Sequence, residues 1–384
     1  MRIHSVNADQ TVGDIAKEYG VDEDILRINN GIESTEPAVG EELLVLTPTR
    51  TYTVRRGDST ERLALRFGVR RRELAKMNPH IECEGLVPGR RLALRYDERK
   101  YGMAAANGYF YSGGTIDGLR QRLPYLTYVT VAAARIDGGG LRKSFEPRDA
   151  VGIIRASDKI PLLRIYDKIG ATRQKDGIPL IDGMIGLAID GGYKGITLGG
   201  APCEEFLVEL RRRLIGSDLI LITEVDEGSL SYVAEYADGC IFTCSENEGE
   251  PCGFDEWEGA AYRKFATESE SSRCMIELPV FARGERGYMP ISEAQTLARR
   301  GGCVIEPIGD TGELGFVHKK HGKITYPSLK KIIATLDALH EYGYMGISFD
   351  IMRTPISYLM AFNALFGTSA YTSARASEGC SRGG

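Results

Sequence analysis

Three carboxylates, Glu224, Glu277 and Asp350, stand close to the ends of apolar runs in the sequence. Two or three carboxylates that project into one cleft can transfer protons as acid and base, or they can hold a metal ion. The alternative is that they form ion pairs with Arg135 or Arg164. The full set of charged residues near such ends is Arg135, Arg164, Asp167, Glu224, Asp226, Glu246, Glu277 and Asp350.

The elements that would position these residues are eight apolar runs that alternate with helical patterns. The runs are 101–110, 125–136, 160–167, 194–198, 218–226, 238–245, 274–281 and 345–352, and the helical patterns include 116–124, 204–214, 231–237, 291–301 and 328–343. Eight such alternations predict an α/β fold, a parallel (β/α)8 TIM-like barrel. The carboxyl ends of all eight strands would face one mouth, so the charged residues would meet there.

The first 96 residues contain an internal repeat with a shift of 48 positions. It aligns HSVNADQTVGDIAKEYG with YTVRRGDSTERLALRFG, and it places Gly20 on Gly68. Each copy predicts a strand, two helices and a closing strand. Thr11 and Ser59 are suitable N-cap residues for the first helix, and Gly20 and Gly68 are suitable residues to end it.

This repeat, with GDST, NPHI and VPGRRLAL in the second copy, resembles the LysM module, a βααβ unit that binds N-acetylglucosamine-containing glycans such as peptidoglycan and chitin. The resemblance covers nearly all of residues 3–96. It implies that the glycan lies between the first strand–helix loop and the loop after the second helix, where backbone and short polar groups can bond hydroxyl and acetamido groups. The residues implied are Asp9, Gln10, Thr11, Asn30, Gly31 and Ile32 in the first copy and Gly57, Asp58, Ser59, Thr60, Asn78, Pro79, His80 and Ile81 in the second.

An alternative for Asp58, Ser59 and Asn78 is that they cap helices and turns, which is compatible with glycan binding. Asp9 stands where the second copy has Gly57, so the second copy matches the module better.

The fourth apolar run lies in GGYKGITLGGA, residues 191–201, where a short strand ends in a glycine pair before a helical pattern. This frame resembles the fourth strand of glycoside hydrolase family 18, the chitinase-like barrels. NGYFYSGG, SSRCMIELPVFARGE and YGYMGISFDIMRTP resemble further strands of that family. The whole architecture resembles the LysM-plus-family-18 proteins of bacterial spores, including their cortex-degrading members.

The resemblance also implies that the catalytic residues of the family are missing. The family carries D-x-x-D-x-D-x-E on its fourth strand, and the Glu protonates the leaving oxygen. The corresponding positions here are Lys194, Thr197, Gly199 and Ala201, none of which is acidic. Asp350 stands where the eighth strand of the family usually ends in a Trp. The resemblance therefore implies a degenerate barrel, with Glu224, Glu277 and Asp350 as the candidates for a relocated acid.

Composition and charge exclude several other classes of function. A net charge of −5 and a pI near 5.8 predict no nucleic-acid partner. No run approaches the ~20 apolar residues of a membrane span. The eight cysteines show no metal-binding spacing, and neither does His318-x-x-His321. No Gly-x-Gly-x-x-Gly motif follows a strand, so we predict no metal and no cofactor.

These observations predict module 1 at 1–48, module 2 at 49–96, a linker at 97–100, the barrel at 101–370 and a tail at 371–384. The favoured function is a non-catalytic peptidoglycan-binding protein of the bacterial spore envelope. Because the N-terminus lacks an apolar signal core, we expect synthesis in the cytoplasm before deposition with other envelope proteins. The alternative is an active glycosidase on peptidoglycan or chitin-type glycan. A third hypothesis is a barrel whose loops bind other proteins.

Overall fold

The computed structural model of the 384-residue chain describes residues 1–32, 36–96, 101–137, 140–147, 149–167, 170–173, 175–200, 202–225, 233, 235–243, 271–278 and 280–368. The predicted linker at 97–100 and the predicted tail at 371–384 lie outside these residues, as do Ala201, Asp226 and Glu246. None of the helices within these ranges is both long enough and apolar enough to cross a membrane.

Module 1 and module 2 both fold as the predicted βααβ unit. In each module the first and last strands pair antiparallel, and two helices lie between them. Val12, Ile15 and Leu26 form a small core under the helices of module 1, and Leu63 and Leu74 do so in module 2. The elements are β1 Arg2–Ser5, α1 Val12–Tyr19, α2 Glu23–Asn29, β2 Glu42–Val45, β3 Pro48–Thr53, α3 Thr60–Phe67, α4 Arg71–Met77, the short α5 Ile81–Glu84 and β4 Arg91–Tyr96.

The predicted ends of the first helix in each module are confirmed. Thr11 Oγ1 accepts a hydrogen bond from the backbone N–H of Asp14, and Ser59 Oγ accepts one from Arg62. Both helices end in a left-handed glycine, Gly20 at φ 64° and Gly68 at φ 66°. This conformation is strained for residues with a Cβ atom, which explains the glycine in each copy.

All eight predicted barrel strands are present, and they form a closed parallel barrel. Each strand pairs with the next one around the ring, and the eighth strand pairs with the first. The barrel strands are β5 Gly102–Phe110, β6 Tyr128–Asp137, β8 Ile160–Asp167, β9 Gly195–Gly199, β10 Ile220–Val225, β11 Gly239–Phe242, β12 Cys274–Glu277 and β18 Gly346–Asp350. Two short strands extend the sheet, β7 Gly140–Lys143 beside β6 and β19 Phe366–Thr368 beside β5.

The described helices that follow barrel strands cover the outside of the ring with their apolar faces. The helix predicted at 204–214 is confirmed, and Phe206, Leu207 and Leu210 on its inner face are fully buried. The helices are α6 Ile116–Arg122, α7 Ala150–Ala156, α8 Ile181–Asp190, α9 Glu204–Leu214, α11 Leu329–Glu341 and α12 Ile356–Leu365, with short 3-10 turns at Leu123–Tyr125, Ala171–Arg173, Lys175–Leu180 and Ser271–Arg273.

An antiparallel subdomain interrupts the barrel after its seventh strand, and the sequence pattern did not predict it. The subdomain contains β13 Phe281–Gly284, β14 Gly287–Pro290, α10 Ile291–Gly301, β15 Glu306–Ile308, β16 Glu313–His318 and β17 Gly322–Pro327. The helix at 291–301 is therefore correct as a helix but wrong as a barrel element, because it packs on this sheet. Helical periodicity identifies the helix and its apolar face but not the layer that the face will meet.

Module 1 docks against this subdomain through a close backbone contact and a buried ion pair. A Cβ atom on Gly40 would lie 1.8 Å from the carbonyl oxygen of Ile305, and the Ile305 N–H donates to the Val39 oxygen at 2.8 Å. Beside this contact, Arg299 Nε lies 3.0 Å from Glu41 Oε2, and both side chains are almost fully buried. Module 2 contacts the barrel elsewhere, where the Tyr125 hydroxyl donates to the Lys76 carbonyl oxygen at 2.7 Å. The modules are thus fixed to the barrel.

Candidate functional site

The first predicted glycan loop is built in the same way in both modules. In module 1, Gln10 Oε1 accepts from the Asn7 N–H at 3.1 Å and lies 2.8 Å from His4 Nε2. At the position of Gln10, module 2 has Asp58, whose Oδ2 accepts from the backbone N–H of Arg55 at 2.7 Å and from the Tyr52 hydroxyl at 2.9 Å. These hydrogen bonds, the Arg55 one foremost, lower the pKa of Asp58. The side chain of Gln10 in module 1, and that of Asp58 in module 2, therefore fixes the backbone of its loop.

The turn before that side chain explains the difference between Asp9 and Gly57. Asp9 has φ 61° and Gly57 has φ 87°, so both residues adopt the left-handed conformation. Aspartate tolerates this conformation better than most residues with a Cβ atom. The two loops therefore keep one backbone shape despite the substitution.

The second predicted loop begins in each module with a buried asparagine that bonds the module's own backbone. Asn78 Nδ2 donates to the carbonyl oxygens of Leu74 and Ala93, and its Oδ1 accepts from the Ala93 N–H. Asn30 makes the same three bonds, to Leu26 and twice to Leu44. These amides tie the second helix to the last strand, as the capping alternative for Asn78 suggested.

The predicted glycan residues differ in their exposure. Asp9, Thr11, Gly31 and Gly57 are exposed, and Gln10, Asp58, Ser59 and Thr60 are half-buried. Asn30, Ile32, Asn78, Pro79, His80 and Ile81 are buried. A glycan on the surface of either module would therefore meet mainly the first loop.

His80 is buried in module 2 in its neutral form. It is 4% exposed, and neither ring nitrogen has a hydrogen-bond partner in the described part of the chain. Burial, together with the nearby Arg90, lowers the pKa of His80 to about 4. The charged imidazolium form is costly there because it would lose its hydration without gaining a partner.

Lowering the pH from 7 to 4 is therefore expected to reduce the free energy of unfolding by about 3 kcal/mol through His80 alone. The unfolded chain binds the proton near pH 6.5, whereas the folded chain binds it only near the lowered pKa of about 4. Stability thus falls as the pH falls between these values. Urea unfolding across this range checks the slope, and His80→Leu should remove this part of it. His321→Leu, at a half-buried site, is the control, and an equal slope in both variants would contradict the assignment.

The barrel mouth contains a buried ion pair that joins β8 and β10, the two strands on either side of β9. Arg164 on β8 donates from Nε to Glu224 Oε1 at 2.6 Å and from Nη2 to Oε2 at 2.8 Å, and the Tyr109 hydroxyl donates to Oε1 at 2.9 Å. Burial alone would lower the pKa of Arg164, but the facing Glu224 carboxylate raises it well above its ordinary value. Glu224 therefore accepts three hydrogen bonds, as the ion-pair alternative for the carboxylates suggested.

Tyr109 was not predicted as a site residue, although a signal for it exists. In β5 the residues Ala105, Asn107 and Tyr109 alternate toward the barrel interior, which a period of two would have identified. Burial, with Glu224 beside it, raises the pKa of Tyr109 well above its ordinary value. The hydroxyl therefore keeps the proton that it donates to Glu224.

The positions of the acidic fourth-strand motif lie on or beside β9. A Cβ atom on Gly199 would lie 2.9 Å from Glu224 Oε2 and 3.3 Å from Arg164 Nη2, so the ion pair fills the space of a side chain at 199. Thr197 is fully buried, with its hydroxyl 3.4 Å from that of Thr130. Lys194 precedes the strand and is exposed, and Ala201 lies outside the described residues.

Glu277 and Asp350 lie at the same mouth as this pair, since burial and then the charges of Glu277, Glu224 and Asp350 raise the pKa of Tyr111. Asp350 Oδ1 accepts from the backbone N–H groups of Met352 and Arg353, and burial raises the pKa of Asp350. Asp167 accepts from the N–H and hydroxyl of Thr172 and so shapes the loop after β8. Arg135 is exposed, and Glu277 ends β12 half-buried. Within the described ranges, no group of three His, Cys, Asp or Glu side chains could hold a metal ion.

The fold and the candidate site define a class of protein, a tandem of βααβ modules joined to a closed (β/α)8 barrel. The two modules are LysM domains, because the family model described as "LysM domain" matches residues 4–45 and 52–95. The comparison with curated protein sequences gives no match.

Solved structures match the chain in fold. The spore cortex-lytic enzyme SleL of Bacillus megaterium QM B1551 is 17% identical, with a TM-score of 0.72 over 96% of this chain and 99% of that chain. SleL of Bacillus cereus is 16% identical, with a TM-score of 0.69 over the same shares. A chitinase from Chromobacterium violaceum ATCC 12472 is 15% identical, with a TM-score of 0.57 over 68% of this chain and 98% of that chain. The chain therefore shares its fold with these proteins.

Proposed function

We propose that this protein binds peptidoglycan, or another N-acetylglucosamine-containing glycan, through its LysM domains and does not hydrolyse it. Both carboxylate oxygens of Glu224 accept hydrogen bonds from Arg164, and this observation carries the proposal. A general acid must hold a proton and reach the leaving oxygen of the substrate. Glu224 is instead an acceptor in a closed pair, and the pair fills the space at Gly199 where the resemblance places an acidic residue.

The spore envelope is the proposed location, and other envelope proteins are proposed partners. The support is the fold shared with the two spore cortex-lytic enzymes over almost the whole chain. Detection of the protein in the envelope fraction of purified spores, and its absence from the soluble fraction, tests the location.

A second candidate function is a glycosidase that uses a relocated acid. The observation that favours it is Asp350, because burial raises the pKa of this carboxyl at the end of the eighth barrel strand. Both Asp350 hydrogen bonds come from backbone N–H groups of the following turn, which identifies a structural role as well.

Incubation with intact peptidoglycan and with chitin oligomers distinguishes the two functions. We expect the protein to sediment with the polymer and to release no new reducing ends. Release that is lost in Asp350→Asn, Glu224→Gln or Glu277→Gln, but kept in the exposed control Asp310→Asn, would establish the glycosidase instead. Because removal of a general acid typically lowers the rate 10²–10⁴-fold, the two outcomes are well separated.

A further inference from the structure

The two LysM domains carry opposite charge on equivalent positions. Module 1, residues 1–48, has three Lys and Arg against ten Asp and Glu, a formal side-chain charge of −7. Module 2, residues 49–96, has twelve Lys and Arg against five Asp and Glu, a charge of +7. The inversion is concentrated in the two helices, where the shift of 48 aligns Asp14 with Arg62, Glu18 with Arg66, Asp22 with Arg70, Glu23 with Arg71 and Asp24 with Arg72.

Four arginines of module 2 lie close to its first loop, and we name Arg55, Arg56, Arg62 and Arg66 the basic cluster. Arg55 and Arg56 directly precede the loop at 57–60. Arg62 Nη2 donates to the Gly57 carbonyl oxygen at 2.7 Å. All four arginines are exposed. The basic cluster therefore borders the loop that we assign to glycan binding.

The basic cluster differs in its charge balance from several other arginines of module 2. Arg71, Arg90 and Arg91 lie within 4 Å of carboxylates, Arg91 reaching Asp22 of module 1 at 3.6 Å. No carboxylate forms such an ion pair with the basic cluster among the residues that the structure describes. At the equivalent positions module 1 has Asn7, Ala8, Asp14 and Glu18, so its loop lacks the positive potential.

We propose that module 2 is the binding site for carboxylate-bearing glycan, and that module 1 discriminates against it. The inference rests on the proposed function and names the class of polymer that each module accepts. Guanidinium groups are suited to carboxylates because their N–H donors match both oxygens. The carboxylates of a peptidoglycan strand supply this charge, whereas a chitin-type polymer is neutral. Module 1 repels the same groups through Asp14 and Glu18 and accepts the neutral polymer.

Sedimentation of the full-length protein with matched polymers tests this assignment. The polymers are phosphate-free peptidoglycan, the same material with its carboxylates converted to methylamides, and chitin. We expect methylamidation to weaken binding about tenfold at low salt, as expected for a few exposed ion pairs. High salt should weaken binding only to the carboxylate form. The double variant Arg55→Gln/Arg56→Gln should lose this preference and keep its binding to chitin.

The double variant Arg286→Gln/Arg300→Gln removes the same charge from exposed sites on the antiparallel subdomain and is the matched control. Equal binding to both forms of peptidoglycan, with chitin still bound, would overturn the charge assignment alone. Loss of all glycan binding in the wild type would overturn the proposed function itself. Salt-sensitive oligomers that disappear with Arg55→Gln/Arg56→Gln would instead assign the basic cluster to the acidic module of a second copy.

Discussion

Replacing Arg164 with methionine is expected to lower the free energy of unfolding by about 3–5 kcal/mol. The substitution leaves the Glu224 carboxylate buried at 5% exposure, with only the Tyr109 hydroxyl as the remaining donor of the three. An unpaired buried charge is far more costly than the absence of both partners. Urea unfolding measures the loss as a lower midpoint, provided that the slope of the unfolding free energy against urea concentration is unchanged.

Two further variants make this result specific to the ion pair. The double variant Arg164→Met/Glu224→Leu should recover most of the loss, because it removes both charges from the apolar site. Arg135→Met, on the neighbouring strand β6, is the matched control because Arg135 is exposed and reaches Asp137 only at 3.5 Å. Its expected cost is below about 1 kcal/mol. Similar losses for Arg164→Met and Arg135→Met would refute the buried pair.

Replacing Arg299 with methionine is expected to cost about 3 kcal/mol and to loosen the contact between module 1 and the antiparallel subdomain. Glu41, 1% exposed, would keep the Ala38 N–H, at 2.9 Å, as its one donor among the residues that the structure describes. Water must then reach the carboxylate, and opening of the interface is the way to admit it. Limited proteolysis should show new cleavage between module 1 and the barrel, together with a lower unfolding midpoint.

Arg300 is the natural comparison because it is the next residue on the same helix and is exposed. Arg300→Met should leave both the midpoint and the cleavage pattern unchanged. The double variant Glu41→Met/Arg299→Leu should restore the closed interface. If Arg299→Met resists protease as well as Arg300→Met does, the ion pair does not hold the module in place.

Local patterns in the sequence predicted most of the fold. Apolar runs identified all eight barrel strands, and the repeat identified both LysM domains with the caps Thr11 and Ser59. The antiparallel subdomain was not predicted because its first strands, β13, β14 and β15, lack the continuous apolar run of a buried parallel strand, and the pairing that stabilises them is non-local. The sequence predicted helix α10, but it did not predict the antiparallel sheet on which the helix packs.

The candidate site was only partly accessible from the sequence. Glu224 and Arg164 are 60 positions apart, and only closure of the barrel determines which of the candidate arginines meets Glu224. Asn30 and Asn78 show the same limit on a smaller scale. Their positions in the repeat indicated a cap or a contact, but the bond across 15 residues from Asn78 to Ala93 depends on how the last strand packs.

Gly40 has a consequence for how the protein meets an insoluble polymer. Binding modules on flexible tethers explore a volume, and tether length sets their effective concentration. Here the backbone at Gly40 touches Ile305 too closely for any side chain, and the buried Arg299–Glu41 pair beside it holds module 1 against the antiparallel subdomain. The loops of the LysM domains therefore lie at a fixed distance from the barrel mouth. Under the proposed function, a glycan bound at the loop of module 2 would therefore be held at a fixed distance from the barrel mouth, without the ordering cost of a flexible tether.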